Sequence, residues 1–203
     1  SDDPASAPGR IESILEALGD SFPYVRPVEA SEDDIRLVHT EHHLNHVKKM
    51  GLVYDIARLA VGGALEAAQL AVAGEPAFAL VRPPSHHASA DSSWGFCYFN
   101  NVAIAVKNLD EPTLILDIDG HHGNGTQEIF QGDKKVTYVS LHQAPNYPGT
   151  GAHTEGNCIN FALPANCGGR MYLGKLDEAL GLVDVGGVET VAVSCGFDTH
   201  LDD

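Results

Sequence analysis

The sequence predicts a three-layer α/β/α fold built on a mainly parallel sheet, and three observations predict it. Short runs of apolar and β-branched residues alternate with longer segments of helical spacing. One of them, Thr113 to Ile118, is an apolar, partly branched run, as a buried parallel strand should be. Histidine and aspartate cluster just past the ends of the runs, at the edge where sites form in such sheets.

The elements follow in order. Residues 1–9 are polar, with Pro4 and Pro8, and read as an extended arm. Arg10 to Leu18 has helical spacing, with Ile11, Ile14, Leu15 and Leu18 on one face and Gly19 as a stop. Ser31 caps a short helix to about Val38, and Thr40 to Met50 reads as another. Val53 to Ala73 is a long Ala- and Leu-rich helix, weakened at Gly62–Gly63. Phe78 to Val81 reads as a first strand, ended by Arg82-Pro83-Pro84. Asn100 to Lys107 is helical, Thr113 to Ile118 a buried strand, and Val136 to Leu141 and Asn160 to Leu163 two more. Met171 to Val183 is a helix and Val188 to Ser194 a closing strand.

Bulk properties narrow the function. The chain has 203 residues, 43% of them hydrophobic, which suits one domain over residues 1–203 with a real core. A net charge of −16 argues against sequence-independent binding to nucleic acid, which needs basic side chains, and suits a cationic substrate. Leu59 to Val81, the most apolar stretch, is broken by Glu66, Gln69 and Glu75, so no membrane span is expected, and no signal-peptide pattern opens the chain. A cytoplasmic protein is the simplest reading. The four cysteines form no CxxC pair and read as free thiols.

The candidate site begins at Asp117-Ile118-Asp119-Gly120-His121-His122. In an extended chain Asp117, Asp119 and His121 project to one side. A carboxylate and an imidazole together make half a zinc site, and Asp198, leaving another strand end, supplies a third ligand. Three protein ligands with an open position mark a catalytic zinc rather than a structural one, although iron(II) also suits the set. Carboxylates so crowded need a cation to offset their repulsion. His86 and His87 follow a rigid Pro83-Pro84-Ser85 segment and could move protons beside the metal. Each needs an orienting partner, for which Asp117 and Asn124 are available, one charged and one neutral. His39, His42, His43 and His46 read as surface or packing histidines, because no carboxylate cluster accompanies them. His153 and His200 read as local.

These segments, taken together, resemble the histone deacetylase and acetylpolyamine amidohydrolase family. The carrying blocks are Arg82 to Ala88 (RPPSHHA), Gly95 to Ala103 (GFCYFNNVA), Asp117 to Thr126 (DIDGHHGNGT), Ser140 to Gln143 (SLHQ), Tyr147 to Gly151 (YPGTG) and Gly196 to His200 (GFDTH). They occur in family order over most of residues 10–203. The resemblance implies an arginase/deacetylase-like fold and zinc-dependent hydrolysis of an N-acetylated amine such as acetyl-lysine or an acetylpolyamine. It implies zinc on Asp119, His121 and Asp198, and an acid/base pair of His86 and His87 with His87 as general base, supported by Asp117 and Asn124. Gly95, Phe96 and Tyr147 would line a substrate channel. A structural potassium ion is implied near Asp117, Asp119, His121, Ser140 and Leu141. Asn124, where some branches carry Asp, is similar to the class II and prokaryotic branches.

Some positions depart from the pattern. Ser85 stands where Gly is common, and Gly120 where a larger residue is common. The family continues past the third ligand to a Gly-Gly motif with a Tyr or His that serves the oxyanion. This chain stops at Asp203, so the catalytic domain reads as incomplete there, and the chain alone is expected to be poorly active. Two rivals stand beside this reading: an arginase-like binuclear manganese ureohydrolase, disfavoured by the order Asp-x-Asp-x-His, and a non-catalytic binder of acylated amines. The sequence allows a homo-oligomer and does not decide it.

Overall fold

The computed structural model describes residues 8–200, so most of the expected N-terminal arm lies outside the described residues. Seven helices and four strands follow in order: α1 (Arg10–Leu18), α2 (Glu32–Arg36), α3 (Glu41–Lys48), α4 (Leu52–Val72), α5 (Asn101–Leu109), β1 (Thr113–Asp117), α6 (Asn124–Phe130), β2 (Val136–Gln143), β3 (Cys158–Leu163), α7 (Gly169–Leu180) and β4 (Thr190–Ser194). The strands form one sheet in the order β3-β2-β1-β4, and every pairing is parallel. Parallel neighbours need crossovers, and α6 and α7 supply two of them.

Local chemistry explains the helix starts. Ser31 and Asp34 form a reciprocal capping box at α2, with Ser31 Oγ accepting from Asp34 N at 3.1 Å and the Asp34 carboxylate accepting from Ser31 N at 2.8 Å. Thr40 caps α3 through its hydroxyl, and Asn100 caps α5 through its side chain.

The sheet is sandwiched. Ile115, Val136 and Tyr138 face α5 and α6 and pack with Ala103, Val106 and Phe130. Leu114, Val139 and Leu141 face the other way, onto Ala179 of α7 and Val183 just past its end. Burial of a side chain such as Ile115 or Phe130, each fully enclosed, contributes about 1.5–3 kcal/mol.

Two expectations are corrected. Phe78 to Val81 is not a strand. It lies across a groove of about 570 Å³ from β4, lined by both, so its backbone has no ladder to join; Phe78 instead stacks on Phe197, ring centroids 6.5 Å apart. The edge of β4 consequently leaves Val191 and Val193 about half exposed. The glycine pair also does not interrupt α4, which runs unbroken through it. A Cβ at Gly62 would overlap the Val28 carbonyl oxygen and one at Gly63 would lie 2.7 Å from Val81 Cγ1. Close packing, rather than weakness, accounts for both glycines. No helix among the described residues is long and apolar enough to cross a membrane.

Candidate metal centre and histidine pair

Asp117 is the last residue of β1 and is fully buried. Its Oδ2 accepts from the Tyr138 hydroxyl at 2.9 Å, and its Oδ1 accepts from Asp119 N at 3.2 Å. The chain then bends, and Asp119 Oδ1 accepts from His121 N at 2.8 Å. Asp198, just past β4, reaches the same place, where its Oδ1 accepts from Gly120 N at 2.7 Å. A Cβ on Gly196 would overlap Asp119 Oδ2, so the β4 exit can pass this close only as glycine.

Asp119, His121 and Asp198 offer ligand atoms that all lie within 4.8 Å of one another. His121 Nδ1 is 2.6 Å from Asp198 Oδ2 and 3.2 Å from Asp119 Oδ1. These two carboxylates raise His121 to about 10 against its partial burial. Two half-buried acids thus demand positive charge at one point. Two oxygens and one imidazole nitrogen there fit a divalent transition metal and leave room for further ligands. This is the single cluster of its kind among the described residues.

The histidine pair adjoins it. His86 and His87 are buried, with ring centroids 4.0 Å apart. His86 Nδ1 lies 3.1 Å from Asp117 Oδ2, and His87 Nδ1 lies 2.8 Å from Asn124 Oδ1. Burial opposes charge on His86, but the Asp117 carboxylate outweighs it, with help from Asp119 and Asp198, and lifts the ring to about 9. Burial depresses His87, and the neighbouring His86 adds to this, bringing it to about 4. The two rings therefore sit on opposite sides of neutrality, one a proton carrier and one a proton acceptor.

One wall of the site is aromatic. Tyr147 stands edge-on to His87 with centroids 5.0 Å apart, and 6.1 Å from His121. Phe96 adopts a left-handed backbone with φ of 65°, a conformation that costs a non-glycine residue about 1–3 kcal/mol. Gly95 passes so near His87 that a Cβ would lie 2.5 Å from its Cδ2. Phe96 and Tyr147 are 44% and 43% exposed, so they stand at a rim. Ser140 and Leu141 are buried in β2, and the sheet register sets Ser140 opposite Asp117.

His39, His42, His43 and His46 are the surface or packing histidines expected of them. His39 and His43 are packing residues, buried against Phe99, whereas His42 is exposed beside Asp91. Sequence reasoning missed Tyr138, whose hydroxyl orients Asp117, and Trp94, whose ring lies 6.3 Å from that of Tyr147. A tyrosine inside an apolar strand was a usable signal, because a buried hydroxyl needs a partner.

Comparison with known proteins identifies the family. The histone deacetylase domain model matches residues 4–203. A probable deacetylase of Archaeoglobus fulgidus is 40% identical over 96% of this chain and 61% of its own length. Another, of Methanothermobacter thermautotrophicus, is 39% identical over 96% of this chain and 69% of its own. Among solved structures, the HDA15 HD domain superposes with a TM-score of 0.87 at 32% identity, covering 97% of this chain and 68% of that one. An acetylpolyamine aminohydrolase from Burkholderia pseudomallei gives 0.89 at 28% identity, covering 98% and 76%. The sheet and its helices thus have the arginase/deacetylase architecture. On these matches the chain belongs to the histone deacetylase family.

Proposed function

We propose that the protein is a zinc-dependent amidohydrolase that removes an acetyl group from an N-acetylated amine, acetyl-lysine or an acetylated polyamine. The observation that carries this reading is the convergence of Asp119, His121 and Asp198 beside two histidines with unlike partners, Asp117 and Asn124.

Asp119, His121 and Asp198 would hold the ion. When bound, it supplies Lewis acidity for the amide carbonyl and for the attacking water. The chain's own residues do the proton work. Asn124 Oδ1 can only accept here, so His87 Nδ1–H donates to it and leaves Nε2 with a free lone pair. His87 Nε2 is then the general base for the water proton. His86 carries a proton on each nitrogen, donating from Nδ1 to Asp117, with Nε2 3.8 Å from Asp119 Oδ1. That second proton stabilises negative charge near the cluster and is available to the departing amine. Gly95, Phe96 and Tyr147 form the wall along which the amine's alkyl arm lies. The net charge of −16 favours a substrate that is cationic beyond its acylated nitrogen. A potassium ion near Asp117, Asp119, His121, Ser140 and Leu141 would brace the strand exits from behind. One three-ligand cluster favours a single ion over the binuclear ureohydrolase arrangement.

The test is acetate release from a panel of acetylated polyamines and acetyl-lysine peptides, with zinc supplied and with a chelator. Release that the chelator stops and zinc restores supports the reading. Binding of the same amines without any release, by a protein extended to the full length of its relatives, would instead make it a binder.

A further inference from the structure

The segment 144–151 carries Tyr147 to the rim of the site and is held to the body at its two ends. At its start Ala144 N donates to Leu163 O at 2.9 Å. Within it the bonds are local, from Tyr147 N to Asn146 Oδ1 and from Gly149 N to Asn146 O, each at 2.8 Å. At its far end two imidazoles take hold. His142 Nε2 lies 3.0 Å from Gly151 O, and His122 Nδ1 lies 2.7 Å from Thr150 Oγ1. Both rings are 1% exposed, with centroids 4.7 Å apart.

The partners decide the tautomers. Gly151 O only accepts, so His142 Nε2 donates, and its Nδ1 accepts from the Ser140 hydroxyl at 2.8 Å. Gln127 Oε1 accepts from Asn160 Nδ2 at 2.7 Å and from His122 Nε2 at 2.9 Å, which leaves His122 Nδ1 to accept from the Thr150 hydroxyl. All four ring nitrogens are used, so neither ring can turn without stranding a buried polar group. Gly151, at φ 75°, rests directly on both rings: a Cβ there would lie 2.5 Å from His122 Cγ and 2.6 Å from His142 Nε2.

We propose that His122 and His142 are positioning residues that set the aromatic wall. They pin Thr150 and Gly151 so that Tyr147 stands against His87, and thereby govern how tightly the arm of the substrate is gripped. His122 follows His121 in the chain, so the wall is referenced to the Asp119–His121–Asp198 cluster through a single peptide link. The effect on substrate rests on the amidohydrolase reading; the anchoring does not.

The test uses Thr150→Val, which removes the hydroxyl at nearly constant shape, Thr150→Ser, which restores it, and His142→Ala. Hydrogen exchange of the 144–151 amides is followed by mass spectrometry, and steady-state kinetics use an acetyl-lysine peptide. Losing one such bond should speed exchange in this segment about tenfold. It should raise KM about five- to tenfold while kcat changes less than about twofold, with Thr150→Ser recovering both. If the parent chain releases no acetate, the Kd of the acetyl-lysine peptide takes the place of KM, and the exchange result still decides the anchor. Unchanged exchange in folded Thr150→Val and His142→Ala overturns the proposal, as does a loss confined to kcat. Should His142→Ala not fold, Gly151→Ala provides the second measurement.

Discussion

His86 and His87 are adjacent in the chain and 4.0 Å apart in space, yet the first rests on the Asp117 carboxylate and the second on the Asn124 amide. The Asp117 carboxylate overcomes burial to lift the first ring to about 9, whereas burial, with the neighbouring His86, brings the second down to about 4. Two chemically identical side chains thus differ because only one has a carboxylate to offset its burial.

Exchanging that charge should move the pH profile. Asn124→Asp places a carboxylate on His87 and raises its pKa by about 1–2 units. A base must be unprotonated to act, so the acid limb of kcat/KM should shift to higher pH by the same amount. A pH–rate profile whose acid limb stays in place would remove His87 from the role of base.

The reciprocal change acts on the other limb. Asp117→Asn removes the charge that holds His86 protonated, so the alkaline limb should move down from near pH 9. The rate at neutral pH should fall about 10²-fold or more, within the range for loss of one proton-transfer group. Because Tyr138 also donates to Asp117, the melting temperature should be recorded alongside, to separate lost chemistry from lost structure.

Gly196→Ala should loosen the ion. The added Cβ would overlap Asp119 Oδ2 and push that carboxylate from its place. A displaced ligand or its support typically costs about 10–100-fold in metal affinity. Competition against a zinc-binding dye checks this without reference to catalysis.

Acid stability should report on His39. Its Nε2 accepts from Asn100 N at 2.9 Å, and burial, aided by His43, holds the ring down at about 3 against an ordinary 6.5. The folded state therefore refuses a proton that the unfolded chain takes up. This group's contribution to stability is complete above pH 6.5 and is lost as pH falls toward 3. His39→Gln keeps an acceptor but cannot titrate, so its unfolding free energy should depend on pH less steeply by about one proton, or about 1.4 kcal/mol per pH unit. Denaturant melts at pH 7, 5.5 and 4.5 would show the difference.

Much of this protein was legible in the residues themselves. The mostly apolar, partly branched runs at Thr113 to Ile118 and Val136 to Leu141 announce strands buried in a parallel sheet, and both are buried along most of their length. Asp119 and His121 are close in the chain, and a bend past the end of β1, rather than an extended strand, brings them together. Asp198 joins them because the carboxyl ends of parallel strands share one edge, and β1 and β4 are neighbours.

Other features were decided only by the tertiary structure. Phe78 to Val81 has the composition of a strand, but a strand exists only where another backbone offers its hydrogen bonds, and here a groove intervenes. Gly62 and Gly63 read as weakness within a helix, and only the approach of Val28 and Val81 shows them as contact points. Which histidine meets Asp117 and which meets Asn124 depends on how one loop seats against α6 and the exit of β1. Composition carries what neighbours in the chain impose on one another. The protonation of a buried ring depends on charges that only folding brings within reach.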